Sequence, residues 1–342
     1  MKTRIFAAAA VIAALSVSCE GDFQKTMPES AGENTVTLNV SLNGPATKAV
    51  IPDGNTDDMT FHNAQIFVYN RLGKLEAKSG RVTVSENISL EIVPGMKTIW
   101  AIVNAPELDL SLGATQEPGS LQSLLSDNTL TSLVMSGSIS QEVSSSMNVS
   151  VGVKHIAAKV IIDSILRDFT NPEYDEVPLV LKKIYMSNVA ADCDYACSDA
   201  APTIWNCQKG LLANPVQNAS LLLDGGLNAT LAQGGPAYSS THTFYVYPNP
   251  TAQDSYSDTW CDRKTRLVLE CEYNGNTCYY PITVRADSIQ RNKVYRITAL
   301  TLKRPGSTSP EDPTLEVSSN VACTFSVTIS DWESVSPYTE EF

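Results

Sequence analysis

The chain has 342 residues, a formal net charge of -13, 43% hydrophobic residues and 18% charged residues. This length allows two cores of ordinary size, and the composition excludes a wholly disordered chain. The acidic balance argues against nucleic acid as a partner, because binding to a phosphate backbone depends on clustered Lys and Arg. Strand-forming residues recur in short runs between Asn, Gly, Pro and Asp, which predicts an all-β fold.

The N-terminus has the pattern of an exported lipoprotein. A basic start precedes an apolar run over residues 5–17, and Ser18 and Cys19 follow it. This pattern predicts a signal peptide over residues 1–18, because the run is too short to span a bilayer. The small residues before the cysteine resemble a bacterial lipobox, so Cys19 is predicted to become the first residue of the mature chain and to carry acyl groups such as palmitate. The polar residues 19–34 predict a tether.

The first strand is predicted just after the tether, in "TVTLNVSLN". Its apolar residues alternate with polar ones, which is the pattern of a half-buried strand. The apolar row consists of Val36, Leu38, Val40 and Leu42. Further strands are predicted in "AQIFVYN", "RVTVSENISLEIV", "KTIWAIVNAP" and "MNVSVGV". Short turns separate them, so residues 35–155 are predicted to form a β-sandwich domain.

A second β-sandwich domain is predicted over residues 156–342. Its strands are expected in "AAKVIIDSI", "LVLKKIYMSNV", "HTFYVYPNP", "TRLVLECEYN", "TCYYPITVRA", "KVYRITALTLKRPG" and "CTFSVTISDW". The last of these alternates as regularly as the first strand of the chain. Its apolar row consists of Cys323, Phe325, Val327 and Ile329. Two strands with the same apolar period and length therefore lie near the two ends of the mature chain.

A hairpin is predicted around Asn274-Gly275, because this dipeptide favours a two-residue type I′ turn. Counting outward from the turn places Cys271 opposite Cys278. This pair is a candidate for a cross-strand disulfide, since an exported protein lies in an oxidising compartment. The pair falls at a hydrogen-bonded position, where the two strands are farther apart than at the alternate positions.

The other cysteines leave their pairing open. The chain has eight cysteines, of which seven follow Cys19. Any two of Cys193, Cys197 and Cys207 are candidates for a bridge. At least one thiol must stay unpaired or pair between molecules, and the candidate is Cys323, a small residue on an apolar row. No second Cys pair or His follows at zinc-finger spacing, so no metal site is predicted.

No catalytic motif is present in the sequence. It contains no G-x-S-x-G, no Gly-rich phosphate loop before a helix and no H-E-x-x-H. The chain is therefore predicted not to be an enzyme and to need no cofactor. Trp260 lies in a polar segment, where an exposed ring would suit stacking on sugars. A surface glycan-binding lipoprotein is thus an alternative function.

Several segments together resemble the Bacteroidales fimbrillins, the subunits of type V pili. In the first half these segments are "HNAQIFVYNRLGKL", "VPGMKTIWAIVNAP", "LVMSGSIS" and "VGVKHIAAKVIIDSI". In the second half they are "TFYVYPNP", "TLKRPGSTSPEDP" and the ending "CTFSVTISDWESVSPYTEEF". The resemblance extends over most of the mature chain and includes the lipobox. The cysteine-containing stretch from Cys193 to Cys207 departs from it.

The resemblance implies a fold of two transthyretin-like β-sandwich domains in tandem and a role as a fimbrial subunit that supports adhesion. It also implies export as an outer membrane lipoprotein, cleavage by a trypsin-like protease after a basic residue behind the first strand, and loss of that strand. Lys48, followed by Ala49, matches the cleavage position. The groove left by Val36, Leu38, Val40 and Leu42 would then accept a strand of a neighbouring subunit, of the same or another kind.

The resemblance places the donor of that strand in the C-terminal segment, where Cys323, Phe325, Val327 and Ile329 form the matching row. Strand addition is physically apt, because it pairs the exposed backbone groups of the groove and covers its apolar stripe at the same time. Without cleavage at Lys48 the chain would be a non-polymerising anchor or tip subunit that keeps its first strand. In either role the expected location is the cell surface.

Overall fold

The structure is a computed structural model of the chain. It describes residues 34–43, 58, 60–84, 88–115, 120–121, 128–196, 201–206, 221–251, 263–285, 287–310, 322–332 and 338–341. The predicted signal peptide and several residues singled out above lie outside the described residues. These are Cys19, Lys48, Ala49, Cys197, Cys207 and Trp260. Residues Thr35–Phe342 form one compact unit.

The first part of the chain, up to residue 155, forms ten described strands. These are β1 (Val36–Asn43), β2 (Asn63–Asn70), β3 (Leu75–Lys78), β4 (Val82–Thr83), β5 (Ile88–Ile92), β6 (Gly95–Val103), β7 (Ser120–Leu121), β8 (Met135–Val143), β9 (Met147–Gly152) and β10 (Lys154–His155). Alternation of apolar and polar residues, as in β1 and β9, produces the half-buried strands, whereas β2 is apolar enough to be buried on both faces.

The second part forms the remaining described strands and one 3-10 turn, Pro172–Tyr174. The strands are β11 (Ala158–Ile162), β12 (Ile165–Arg167), β13 (Leu179–Ser187), β14 (Val189–Ala190), β15 (Cys193–Asp194), β16 (Trp205–Asn206), β17 (Leu223–Leu231), β18 (His242–Val246), β19 (Arg266–Tyr273), β20 (Asn276–Thr283), β21 (Lys293–Leu302), β22 (Cys323–Asp331) and β23 (Tyr338–Glu341). The prediction of an all-β fold is therefore confirmed.

Two sheets are built from the first part of the chain. Sheet I has the order β5-β1-β9, and sheet II has the order β10-β8-β6-β2-β3, with β4 also paired to β2. Their facing residues form one core. From sheet I they include Leu38, Val40, Ile88, Val149 and Val151, and from sheet II Ile66, Val68, Ile99, Ala101 and Val103. The period of two along β2 and β6 sends the alternate residues to the other face of sheet II.

Two further sheets are built from the second part. Sheet III has the order β18-β11-β21-β22-β23, with β12 also paired to β21, and sheet IV has the order β17-β13-β19-β20. Their core includes Val160, Leu181, Phe244, Leu269, Ile297, Val327 and Ile329. The same core continues to Phe67, Trp100 and Ile102 on the other face of sheet II. Sheet II is thus buried on both faces.

The sheets fall on either side of the domain boundary predicted between residues 155 and 156, apart from a small pairing of β7 with β15. The tandem of transthyretin-like domains stays a prediction. The predicted hairpin turn is confirmed. Asn274 and Gly275 both have positive φ, 50° and 73°, as a type I′ turn requires. The register also places Cys271 opposite Cys278.

Candidate functional site

Strand β1 is the central strand of sheet I. It runs antiparallel to β5, where Val40 lies opposite Ile88, and parallel to β9, where Val40 lies opposite Val149. Within the described residues, neither β5 nor β9 has another hydrogen-bonded neighbour strand. Among the described strands, β1 alone therefore holds β5 and β9 together in sheet I.

The inner face of β1 carries the predicted apolar row. Leu38 is fully buried and Val40 is 7% exposed, whereas Val36 and Leu42 at the ends of the strand are half-buried. Full burial of a Leu or Val side chain contributes about 1.5–3 kcal/mol. The middle of the row therefore supplies most of the apolar attachment of β1 to the core.

The outer face of β1 carries a polar row that is hydrogen-bonded to both neighbours. Asn39 Nδ2 donates to Asn148 Oδ1 on β9 at 3.0 Å, and Ser89 Oγ on β5 donates to Asn39 Oδ1 at 2.7 Å. Thr37 Oγ1 donates to Glu91 Oε1 on β5 at 2.8 Å. A surface cavity of about 330 Å³ lies beside these groups. Each exposed bond contributes little, and together they are compatible with the register that the apolar row sets.

Loss of β1 would leave β5 and β9 as two facing edges with unpaired backbone N–H and C=O groups. It would also uncover the apolar side chains that pack on Leu38 and Val40. Both consequences are unfavourable in water, and both are relieved by one new strand that carries alternate apolar residues. A sheet I without β1 would therefore be suited to bind an extended strand.

At the other end of the chain, β22 lies between β21 and β23 in sheet III. Its inner row is the predicted donor row. Val327 and Ile329 are fully buried, Cys323 is 8% exposed, and Phe325 is half-buried. Val327 lies opposite Ile297 on β21. The structure thus places this row in the core of its own subunit, and Cys323 lies in that core as the alternation predicted.

Strand β23 is an edge strand of sheet III and pairs with β22 alone among the described strands. Tyr338 lies opposite Ile329, and Glu340 lies opposite Val327. An edge strand can separate without breaking the β21–β22 pairing. Sequence reasoning missed β23, because its four residues, "YTEE", show no alternation of apolar and polar side chains.

Cys271 and Cys278 are present as thiols and face the core of the second part. Burial, reinforced by the nearby Cys278 sulfur, raises the pKa of Cys271 well above its ordinary value. The buried thiol therefore resists conversion to the reactive thiolate. The register that motivated the disulfide is confirmed, whereas the bridge itself stays a prediction.

A buried polar cluster that the sequence did not reveal lies where the first and second parts meet. This junction cluster consists of Asp58, His155, Lys159, Tyr245 and Trp332. Lys159 Nζ lies 2.5 Å from Asp58 Oδ2, and the Tyr245 hydroxyl donates to Asp58 Oδ1 at 2.6 Å. Both charged side chains are at most 2% exposed. Trp332 stacks on His155, with ring centroids 4.0 Å apart.

Two neighbouring residues connect the junction cluster to the backbone of both parts. Arg291 donates to the carbonyl oxygens of Ser136, Lys154 and His155 at 2.7–3.0 Å. The Asn292 side chain accepts from the backbone N–H of His155 at 3.2 Å. These contacts join β8 and β10 of sheet II to the start of β21. They connect the two parts beside the point where the chain passes from one to the other.

Burial controls the protonation of His155. Its side chain is 0% exposed, and this desolvation lowers its pKa to about 4. Hydrogen bonds to Asp58 O and Asn292 oppose the shift, while the positive charges of Lys159 and Arg291 add to it. His155 is therefore neutral at pH 7 and donates from Nε2 to the Asp58 carbonyl at 2.7 Å.

A second histidine forms a hydrogen-bonded chain near β17 and β18. His242 Nδ1 lies 2.5 Å from Asp224 Oδ2, and the Tyr238 hydroxyl lies 3.0 Å from His242 Nε2. These bonds tie three segments together. Among the described residues, no group of three His, Cys, Asp or Glu side chains is arranged to hold a metal ion. Over the same residues, no helix is long and apolar enough to cross a membrane.

No family model and no curated protein matches the sequence. Solved structures with a similar fold do exist. A candidate cell adhesion protein of Bacteroides eggerthii is 17% identical, with a TM-score of 0.61 over 87% of this chain and 96% of its own. A fimbrilin, FimA, of Porphyromonas gingivalis is 14% identical, with a TM-score of 0.57 over 87% of this chain and 97% of its own.

The tip fimbrial protein Mfa3 of Porphyromonas gingivalis, solved with a C-terminal truncation, is also similar. It is 13% identical, with a TM-score of 0.51 over 87% of this chain and 100% of its own. At such low identity the likeness shows the fold alone. The similarity covers nearly the full length of each of these structures, so it concerns the whole arrangement of sheets rather than one of them.

Proposed function

We propose that this chain, which has a fimbrillin-family fold, is a structural subunit of a cell-surface fimbrium that supports adhesion. It acts by binding other subunits, of the same or a different kind, and performs no catalysis. The observation that carries the proposal is the position of β1 between β5 and β9, which have no other described strand partner. Removal of this one strand converts a folded subunit into an acceptor for an extended segment.

The proposed maturation starts from an outer membrane lipoprotein anchored through Cys19. A trypsin-like protease then cuts between Lys48 and Ala49, behind β1. Strand β1 is joined to the rest of the chain at its C-terminal end only by the segment that contains this bond. One cut there therefore detaches β1 together with the lipid anchor, and the two edges of sheet I become available to a neighbour.

The strand that enters sheet I is proposed to come from the C-terminal segment of a neighbouring subunit. The row of Cys323, Phe325, Val327 and Ile329 has the period that the groove requires, and the resemblance to the fimbrillins implies a donor in this segment. This row is packed in sheet III of its own subunit, whereas β23 lies at an edge. The edge position favours β23 as the part that changes partner first.

The proposal is tested by replacing the residue before the cleaved bond. We expect Lys48→Ala to keep β1 and to reach the cell surface as a monomer. The wild-type protein is expected to form a ladder of polymers that resist mild denaturant on a gel. Lys25→Ala is the matched control, because Lys25 lies in the tether before β1 and its loss leaves the Lys48 bond intact. Polymers from Lys48→Ala in wild-type amounts would contradict proteolytic release of β1.

A further inference from the structure

The junction cluster touches both segments that strand exchange would disturb. Asp58 lies ten residues after Lys48, on the stretch that leads into β2. Trp332 follows β22 directly, at the point where the chain turns towards β23. The cluster therefore joins, at one buried place, the chain that follows the first strand and the chain that precedes the last one.

Asp58 is held by all of its oxygen atoms. Its two carboxylate oxygens bind Lys159 Nζ and the Tyr245 hydroxyl, and its carbonyl oxygen accepts from His155 Nε2. Separating a buried ion pair leaves an uncompensated charge in a low-dielectric interior, which is strongly unfavourable. The segment around Asp58 should therefore stay attached when the chain before it is cut.

The described contacts of Trp332 lie outside β23. Its ring stacks on His155, and Lys159 Nζ lies 5.6 Å from the ring centroid. Its backbone N–H donates to the Asn292 carbonyl at 3.0 Å. Trp332 is 2% exposed. Departure of β23 breaks none of these contacts, so the end of β22 keeps its attachment.

We infer that the junction cluster is a positioning site for strand exchange. It retains the chain end that cleavage after Lys48 would create, and it holds β22 in sheet III while β1 leaves. This inference rests on the proposed function. It restricts which strand of the C-terminal segment leaves sheet III first. The row of Cys323, Phe325, Val327 and Ile329 therefore stays in sheet III of the cut monomer, and β23 is the described strand that can leave first.

Amide hydrogen exchange on the full chain, before and after release of β1 by protease, tests this role. In the wild type we expect β22 and the segment around Asp58 to exchange slowly in both states. We expect β23 to change its protection when polymers form. Lys159→Met removes the positive charge at nearly constant volume and should speed exchange in β22 at least tenfold after β1 is released.

Lys293→Met is the matched control. Lys293 Nζ lies 2.5 Å from Asp331 Oδ1 at the same end of β22, but this ion pair is partly exposed. Its loss should leave the protection of β22 within twofold of the wild type. If Lys159→Met does not fold, Trp332→Phe is the substitute variant. It keeps an aromatic ring on His155 with a smaller contact area, and it should speed exchange in β22 to a smaller degree.

The outcomes separate this inference from the proposed function. Loss of protection in wild-type β22 in the cut monomer, before polymers form, would overturn it, because the cluster would then not hold β22. Equal protection of β22 in Lys159→Met, Trp332→Phe and Lys293→Met would also overturn it. Failure of the wild type to form polymers would instead contradict the proposed function, and the comparison of the variants in the cut monomer would still test the cluster.

Discussion

Strands β1 and β22 have the same pattern in sequence but different positions in the fold. Each carries four alternate apolar residues on one face. β1 lies between two strands that have no other described partner, and only its middle residues, Leu38 and Val40, are buried. β22 lies in a six-stranded sheet, and Trp332, directly after it, packs in the junction cluster.

Under the proposed function, this difference means that an apolar row identifies a strand but does not determine whether the strand can be exchanged. What matters is how the strand is attached. β1 is joined to the other strands at its C-terminal end alone, through the segment that contains Lys48. Its removal leaves two facing strand edges, on β5 and on β9. β22 cannot leave without uncovering Val327 and Ile329 and breaking its pairing with β21.

Val327→Asp should destabilise the monomer by more than about 4 kcal/mol, because it buries an unpaired charge in the core. Thr324→Asp on the exposed face of the same strand is the control and should change stability by about 0.5 kcal/mol or less. Denaturant unfolding of the monomers measures both values. A Val327→Asp monomer as stable as the wild type would show that β22 is not part of the monomer core.

The end of β22 should respond to pH through His155. Its pKa is about 4 in the folded protein and 6.5 in the unfolded chain, so the unfolded chain binds more protons between these values. Stability contributed by neutral His155 is complete above pH 6.5 and falls as the pH drops towards 4, by about 3 kcal/mol. Urea unfolding from pH 7 to 4 tests this effect.

Variants isolate the contribution of His155 from that of other titrating groups. The stability difference between the wild type and His155→Gln should shrink as the pH falls. A stability difference for His155→Gln that is the same at pH 7 and pH 4 would contradict the assigned protonation state.

The close approach of β8 to the end of β9 should be sensitive at Gly137 on β8. A Cβ atom there would lie 1.9 Å from the carbonyl oxygen of Gly152 at the end of β9. Because the clash is with backbone, Gly137→Ala should destabilise the protein by about 1–3 kcal/mol. Gly152→Ala is the control on the other side of the contact, where a Cβ meets nothing within 4 Å. Similar melting temperatures for the two variants would disprove the close approach.

The outer row of β1 should contribute least. Asn39→Ala removes two exposed hydrogen bonds and should cost about 0.5–1.5 kcal/mol. Ser150→Ala, on the exposed face of β9, is the control and should be nearly neutral. Thermal unfolding of the intact chain measures both changes. A loss above about 3 kcal/mol for Asn39→Ala would mean that the polar row, rather than the apolar row, attaches β1.

Local features of the fold could be predicted from the sequence. The alternation in β1 and β22 and the Asn274-Gly275 turn are encoded within a few residues, and the structure contains each of them. The pairing of β1 could not be predicted in this way. Its parallel neighbour β9 lies more than 100 residues away, with Thr37 and Ser146 separated by 109 positions. Alternation gives no information about which strand lies alongside.

The junction cluster was missed for the same reason. Asp58 meets His155 and Tyr245 across separations of 97 and 187 residues. A single Asp or His in a strand-rich sequence shows no pattern that would identify such a partner. Lys159 even interrupts the apolar run of β11, and only the tertiary fold explains why a charged side chain lies there. Sequence patterns thus identified the strands, whereas tertiary contacts decide which of them stay in place.

The most direct test of the account is N-terminal sequencing, with intact-mass analysis, of the protein assembled at the cell surface. Loss of β1 by cleavage behind it predicts a chain that begins at Ala49 and carries no lipid. A chain that begins at a lipidated Cys19 in the polymer would contradict the account, because β1 would then still occupy the centre of sheet I.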